Sequence, residues 1–126
     1  MITEDYVSFE TVKLLREKGF KEPTLAYAYG QDMVAYYSQP KVTDDYNVEA
    51  GRYPLPTLQM AMKWLRKNHQ IFIRPNTSFL YPIKWYSEIF CYGDNLKTQQ
   101  DIKTEYYDSP EEACEAAIKY CLENLI

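Results

Sequence analysis

Three stretches of this chain repeat their apolar residues at helical spacing, and the segments between them alternate or cluster as strands do. The first stretch runs from about Phe9 to Lys18, where Phe9, Val12 and Leu15 mark an apolar stripe with Leu14 beside it. Ser8 stands where a hydroxyl can accept an unpaired backbone N–H of the first turn. Glu10 suits the positive end of the helix and Lys18 the negative end. Gly19 supplies the left-handed residue that ends a helix, and Phe20 the apolar follower that folds back over the last turn. The second stretch runs from Leu58 to about Asn68 behind Thr57 as N-cap. Leu58, Ala61, Met62 and Leu65 recur at core-facing spacing. Trp64 flanks that stripe, at the core edge or partly exposed. The third begins with Ser109, Pro110 and Glu112, the pattern of a capping box with proline in the first turn. Its stripe is Cys114, Ala117, Ile118, Cys121, Leu122 and Leu125.

The intervening segments predict strands. Leu25, Tyr27 and Tyr29 alternate with Ala26 and Ala28, Gly30-Gln31-Asp32 interrupts them, and Met33–Ser38 follows, which together reads as a hairpin. Gln39–Pro56 is polar, with Pro40, Gly51, Pro54 and Pro56, and reads as a long irregular connection. Ile71–Arg74 reads as a short strand stopped near Pro75, with Asn76-Thr77-Ser78 as a turn. Tyr81–Tyr92 holds one or two strands, and its blurred alternation over Ile83–Ile89 points to a bulge. Gly93-Asp94-Asn95 is a turn signal. Ile102, Thr104 and Tyr106 alternate with Lys103 and Glu105, as in an edge strand over Asp101–Tyr107. The expectation is one α+β domain over 1–126, with three helices packed on a small, mostly antiparallel sheet of three to five strands.

Composition adds the candidate chemistry. The chain has 126 residues, 46% of them hydrophobic, enough for a core without metals or disulfides. Its formal net charge of -4 argues against a nucleic-acid duplex as the main partner. Met1–Tyr6 is acidic and no apolar run follows it, unlike a secretory signal, and no run approaches a membrane span. A cytoplasmic location without membrane partners is the expectation. Cys91, Cys114 and Cys121 contain no CxxC pair, and Cys114 and Cys121 would lie roughly 10 Å apart along one helix, too far for a disulfide. They read as small buried side chains.

No set of reacting groups stands out. His69, the single histidine, reads as a helix-end residue. Asp44, Asp45 and Asp94 are read as solvated loop acids, since hard metals need several converging oxygens. HExxH, GxSxG and glycine-rich phosphate motifs are absent from the sequence. Neither a catalytic residue, a metal nor a cofactor is expected.

The chain does hold 13 tyrosines, with two tryptophans and five phenylalanines. A tyrosine offers a large rigid ring with a polar tip, which suits recognition surfaces. Tyr36, Tyr37, Tyr46 and Tyr53 are the candidate residues for binding another protein or a second copy of the chain. A nucleic-acid reading is the alternative: Lys63, Arg66, Lys67 and Arg74 gather near the junction of the second helix and the next strand, with Trp64, Tyr53 or Phe72 for stacking. An unrecognised enzyme is the third class.

Three segments carry a resemblance: VSFETVKLLREKGF at Val7–Phe20, YPLPTLQMAMKWLRKNH at Tyr53–His69 and YDSPEEACEAAIKYCLENLI at Tyr107–Ile126. They resemble a group of small uncharacterised proteins from Bacteroidetes prophages and related mobile elements. The resemblance covers about half the chain and falls on the expected helices. It implies a phage or mobile-element accessory protein, and it carries no active site, cofactor or partner to transfer.

Overall fold

The computed structural model describes residues 5–43, 51–78, 81–92 and 99–126. The elements run α1 (Phe9–Glu17), β1 (Thr24–Gly30), β2 (Met33–Lys41), β3 (Tyr53–Leu55), α2 (Leu58–His69), β4 (Ile71–Thr77), β5 (Trp85–Tyr92), β6 (Gln99–Lys103) and α3 (Pro110–Asn124). The fold is α+β, with three helices packed against two antiparallel three-stranded sheets. The strands divide into orders β2-β1-β3 and β4-β5-β6 rather than joining one sheet. The chain groups into two compact units, Met1–Met60 and Ala61–Ile126.

In the first unit α1 is fixed at both ends by its own sequence. The Thr11 N–H donates to Ser8 Oγ at 3.2 Å. At the other end Gly19 takes φ 96°, the Phe20 N–H donates to the Leu15 carbonyl at 2.9 Å, and the Gly19 N–H donates to the Arg16 carbonyl. These two bonds are the Schellman closure, and only a residue tolerant of positive φ completes it at low cost. Thr11, Val12, Leu15 and Phe20 are fully buried. α1 packs on β1 and β3, against the side of the sheet where Ala26, Ala28 and Leu55 are buried.

β1 and β2 form the expected hairpin, with Asp32 at φ 58° in the connection. Asp tolerates that region better than most residues. The register slips between Thr24 and Ala26, so that Tyr37–Pro40 stand opposite Leu25. The expected irregular connection after Ser38 is shorter than the sequence implies. β2 continues through Pro40 to Lys41, and Tyr53–Leu55 forms β3 on the other flank of β1. Both prolines lie on edge strands, where a missing N–H removes no ladder bond if it faces outward. Asp44 and Asp45 lie outside the described residues.

In the second unit β4 also runs through a proline, Pro75, to Thr77, again on an edge strand. The expected turn at Asn76–Ser78 therefore begins later. Its ladder with β5 is unbroken from Ile71↔Cys91 to Thr77↔Trp85, so the blurred alternation of β5 contains no bulge on that side. The irregularity lies on the partner strand. Glu88 pairs with Lys103, yet Trp85 bridges Tyr107, which leaves Tyr86 and Ser87 facing Thr104, Glu105 and Tyr106. The Thr104 hydroxyl fills the gap by accepting the Ser87 N–H at 2.8 Å. The turn expected at Gly93-Asp94-Asn95 lies outside the described residues.

α3 packs on β4 and β5. Its first turn is capped by Ser109, whose Oγ accepts the Glu112 N–H at 3.1 Å. Ala113, Cys114, Ala117, Ile118, Cys121 and Leu122 are buried, which is the expected stripe with Ala113 added and Leu125 only half-buried. They meet a sheet face on which Ile71, Ser87 and Ile89 are buried.

Candidate functional site: the outer face of the first sheet

Alternation along β1 separates its side chains into two sets. Thr24, Ala26 and Ala28 are buried, whereas Leu25 is 51% and Tyr29 47% exposed, with Tyr27 half-buried between them. The cross-strand register puts Tyr27 opposite Ala35 and opposite Pro54. The small residue opposite Tyr27 leaves room for its ring to meet a neighbour two residues along β2. That neighbour is Tyr37: the ring centroids of Tyr27 and Tyr37 are 4.8 Å apart, and those of Tyr27 and Tyr29 are 6.2 Å apart. Two cations lie over these rings. The Arg52 guanidinium is 5.2 Å from the Tyr27 centroid and the Lys41 ammonium 5.4 Å from that of Tyr37. Tyr37 is held further by a 3.0 Å hydrogen bond with the Thr43 hydroxyl. Met33 is 48% exposed at the start of β2.

The candidate tyrosines therefore do not form one patch. Tyr37 joins Tyr27 and Tyr29 on the outer face. Tyr36 pairs with Ala26 on the helix side, is 65% exposed, and meets Tyr6 edge-on at 6.3 Å. Tyr53 is half-buried against Phe9 at 5.8 Å. Tyr46 lies outside the described residues. A cavity of about 170 Å³ opens on the helix side, lined by Tyr6, Phe9, Ala28, Val34, Tyr36 and Leu55 among others. It is below the roughly 300–1,000 Å³ of pockets that enclose small molecules.

The basic group of the second unit is less suited to stacking than its sequence implies. Lys63, Arg66 and Lys67 are exposed on α2, but Trp64 is 7% exposed, and its ring meets His69 edge-on at 5.0 Å. Arg74 is engaged by Glu88 at 2.7 Å and lies over the Phe90 ring. Phe72, opposite Phe90 in the ladder, is 40% exposed.

Glu88 is the functional-looking residue that sequence reading missed. It is 8% exposed on the sheet face opposite the α3 side, and its carboxylate accepts from Asn76 at 3.1 Å, Arg74 at 2.7 Å and the Tyr86 hydroxyl at 3.4 Å. The Asn76 hydrogen bond holds its pKa below the usual carboxylate value, and the bond and charge of Arg74 and the charge of Lys103 act in the same direction, against burial. A single acid in a strand gives no sequence signal of such a knot, because its two closer donors, Arg74 and Asn76, come from another strand. Its lowered pKa means that its stabilisation is present above the unfolded carboxylate value, about 4.3, and fades as pH falls through the lower folded value. Glu88→Gln is expected to cost about 1 kcal/mol at neutral pH, at the modest end for a charged hydrogen bond because Arg74 is solvent-screened. The difference from the parent chain in urea unfolding shrinks on acidification. A difference constant down to pH 2 would contradict this account.

The three cysteines form no disulfide; Cys114 and Cys121 are buried and Cys91 half-buried. Burial raises the Cys114 thiol and pushes Cys121 up to about 12, with Cys91 adding to the latter. Thiols so far from ionisation suit packing rather than nucleophilic attack. Among the described residues, no group of three or more His, Cys, Asp or Glu is arranged to hold a metal ion. Likewise, no described helix is long and apolar enough to cross a membrane. No protein-family model, curated protein or solved structure matches the chain.

Proposed function

We propose that this chain is a non-enzymatic, cytoplasmic accessory protein of a prophage or mobile element that acts by binding another protein. The observation that carries the binding part is the outer face of the first sheet, where Leu25, Tyr29 and Met33 stand exposed around a held pair of tyrosine rings. Exposed apolar side chains grouped on one face, rather than scattered, mark an interaction surface. Rigid aromatics lose little entropy on contact and are common anchors of binding energy. The mobile-element setting rests on the resemblance of the three helical segments.

Photo-crosslinking residues placed at Leu25 and Tyr29 test the surface, with Glu123 of α3 as a control site. The same protein is expected to crosslink at both outer-face sites and not at the control. Tyr29→Ser should reduce that product while leaving the melting temperature within about 2 °C, as for a surface substitution. Equal labelling at the control site would overturn the reading. So would salt-sensitive retention of single-stranded nucleic acid that is lost on charge reversal of Lys63 and Arg66.

A further inference from the structure

We infer that the partner presents an acidic, apolar segment to the outer face of the first sheet. This rests on the protein-binding reading above and specifies its chemistry. Among the described residues Lys41 and Arg52 meet rings and no carboxylate: Lys41 lies over Tyr37 and Arg52 over Tyr27, and these two rings are themselves 4.8 Å apart. Two cations are thus held on one aromatic base, with no described anion paired to either. A cation over a ring keeps its outward N–H donors directed to solvent. Carboxylates arriving there gain charge-assisted hydrogen bonds. Leu25, Tyr29 and Met33, exposed on the same unit, supply apolar contact for the intervening side chains. Complementary charge of this kind sets orientation and speeds encounter, while the apolar contacts hold the complex.

Single-stranded nucleic acid is also an anion that favours aromatic surfaces. It fits less well here. The Tyr27 and Tyr37 faces already bear the cations and each other, so they are not open platforms for bases. The most exposed neighbours, Leu25 and Met33, suit aliphatic or aromatic side chains. The net charge of -4 also opposes a long polyanion.

The test uses fluorescence anisotropy with the full chain and a short labelled peptide alternating Glu with Leu and Phe. The matched peptide with Gln for Glu and a labelled oligo-dT are the comparison probes. The Glu peptide is expected to bind at low salt at least about tenfold tighter than the Gln peptide, and to weaken as salt rises. Lys41→Glu with Arg52→Glu should abolish that difference, with the far-ultraviolet spectrum and melting temperature confirming the fold; Lys41→Gln with Arg52→Gln is the milder variant should the reversal unfold the chain. Absence of binding, equal binding of the two peptides, or no effect of the substitutions would overturn the inference. Tighter binding of oligo-dT, lost in the double variant, would replace it with a nucleic-acid site. If the outer-face crosslink persists undiminished in the double variant, protein binding stands and the acidic chemistry falls; if crosslink and peptide binding are both missing, both readings fall.

Discussion

Replacing Phe20 with alanine is expected to lower the unfolding free energy by about 3–5 kcal/mol, the range for deleting a buried aromatic ring. Phe20 is fully buried, and its backbone N–H also closes the end of α1 on the Leu15 carbonyl. The substitution keeps the backbone bond and removes the ring, so the loss measures packing alone. Against a total stability of roughly 5–15 kcal/mol, it would leave the first unit marginal. Urea unfolding monitored by circular dichroism gives the value. Phe20→Leu should lose much less, since most of the apolar volume remains. Phe72→Ala, at a ring that is 40% exposed, should cost less than either. A Phe20→Ala protein within about 1 kcal/mol of the parent would show that the follower ring is not what holds α1 down.

Ile118→Ala in α3 is expected to cost about 2–5 kcal/mol, and Leu122→Ala a similar amount. Both side chains are fully buried in the layer between α3 and the β4–β5 sheet face. Glu123 lies next to Leu122 in sequence but on the wet side, where Lys119 reaches it at 3.9 Å. Glu123→Ala should change stability by less than about 0.5 kcal/mol, because an exposed i,i+4 pair contributes little. Calorimetric melting of the three variants separates the cases. Equal effects at positions 122 and 123 would mean that the helix does not bury the stripe that its sequence displays.

The parts of this fold that were legible in the sequence are those decided within a few residues. Ser8, Gly19 and Phe20 specify the ends of α1 because each acts on backbone groups one turn away. Ser109 and Thr57 do the same for α3 and α2, the latter accepting the Met60 N–H at 3.2 Å. The hairpin was legible for the same reason. Decisions made across the chain were not. Pro54 and Pro75 read locally as strand breakers, and become acceptable only once β3 and β4 are known to be sheet edges. Nothing near Tyr53 announces that it will pair with Ala28. The split into two sheets is likewise a matter of distant pairing. Trp64 sat beside the expected stripe, and its large ring turned inward all the same.

The candidate site was half legible. The alternation of Leu25, Tyr27 and Tyr29 with alanines separates two faces, but which one a helix would cover depends on where α1 lands. Tyr36 and Tyr37, adjacent in sequence, consequently serve opposite faces. Sequence density of tyrosine marked the right region and merged two clusters that the sheet keeps apart. The cations over the rings left no pattern at all, since Arg52 reaches Tyr27 from a different strand connection.

The extra residue facing Tyr86 and Ser87 acts as a phase shift in the reading of the sheet. Before it, Ile102 and Lys103 alternate in step with β5; after it, the order is inverted, so Tyr107 aligns with Trp85 while Tyr106 meets the Tyr86 ring at 5.5 Å. Deleting one of the three, Thr104, Glu105 and Tyr106, would leave two residues facing two, a plain ladder that keeps Tyr107 opposite Trp85 and Ser109 at the start of its helix. Deleting two would leave one residue to span two, and the step between the strands would return with the opposite sign. The surplus residue is thus slack that can be lost singly, a tolerance that no single side chain reveals.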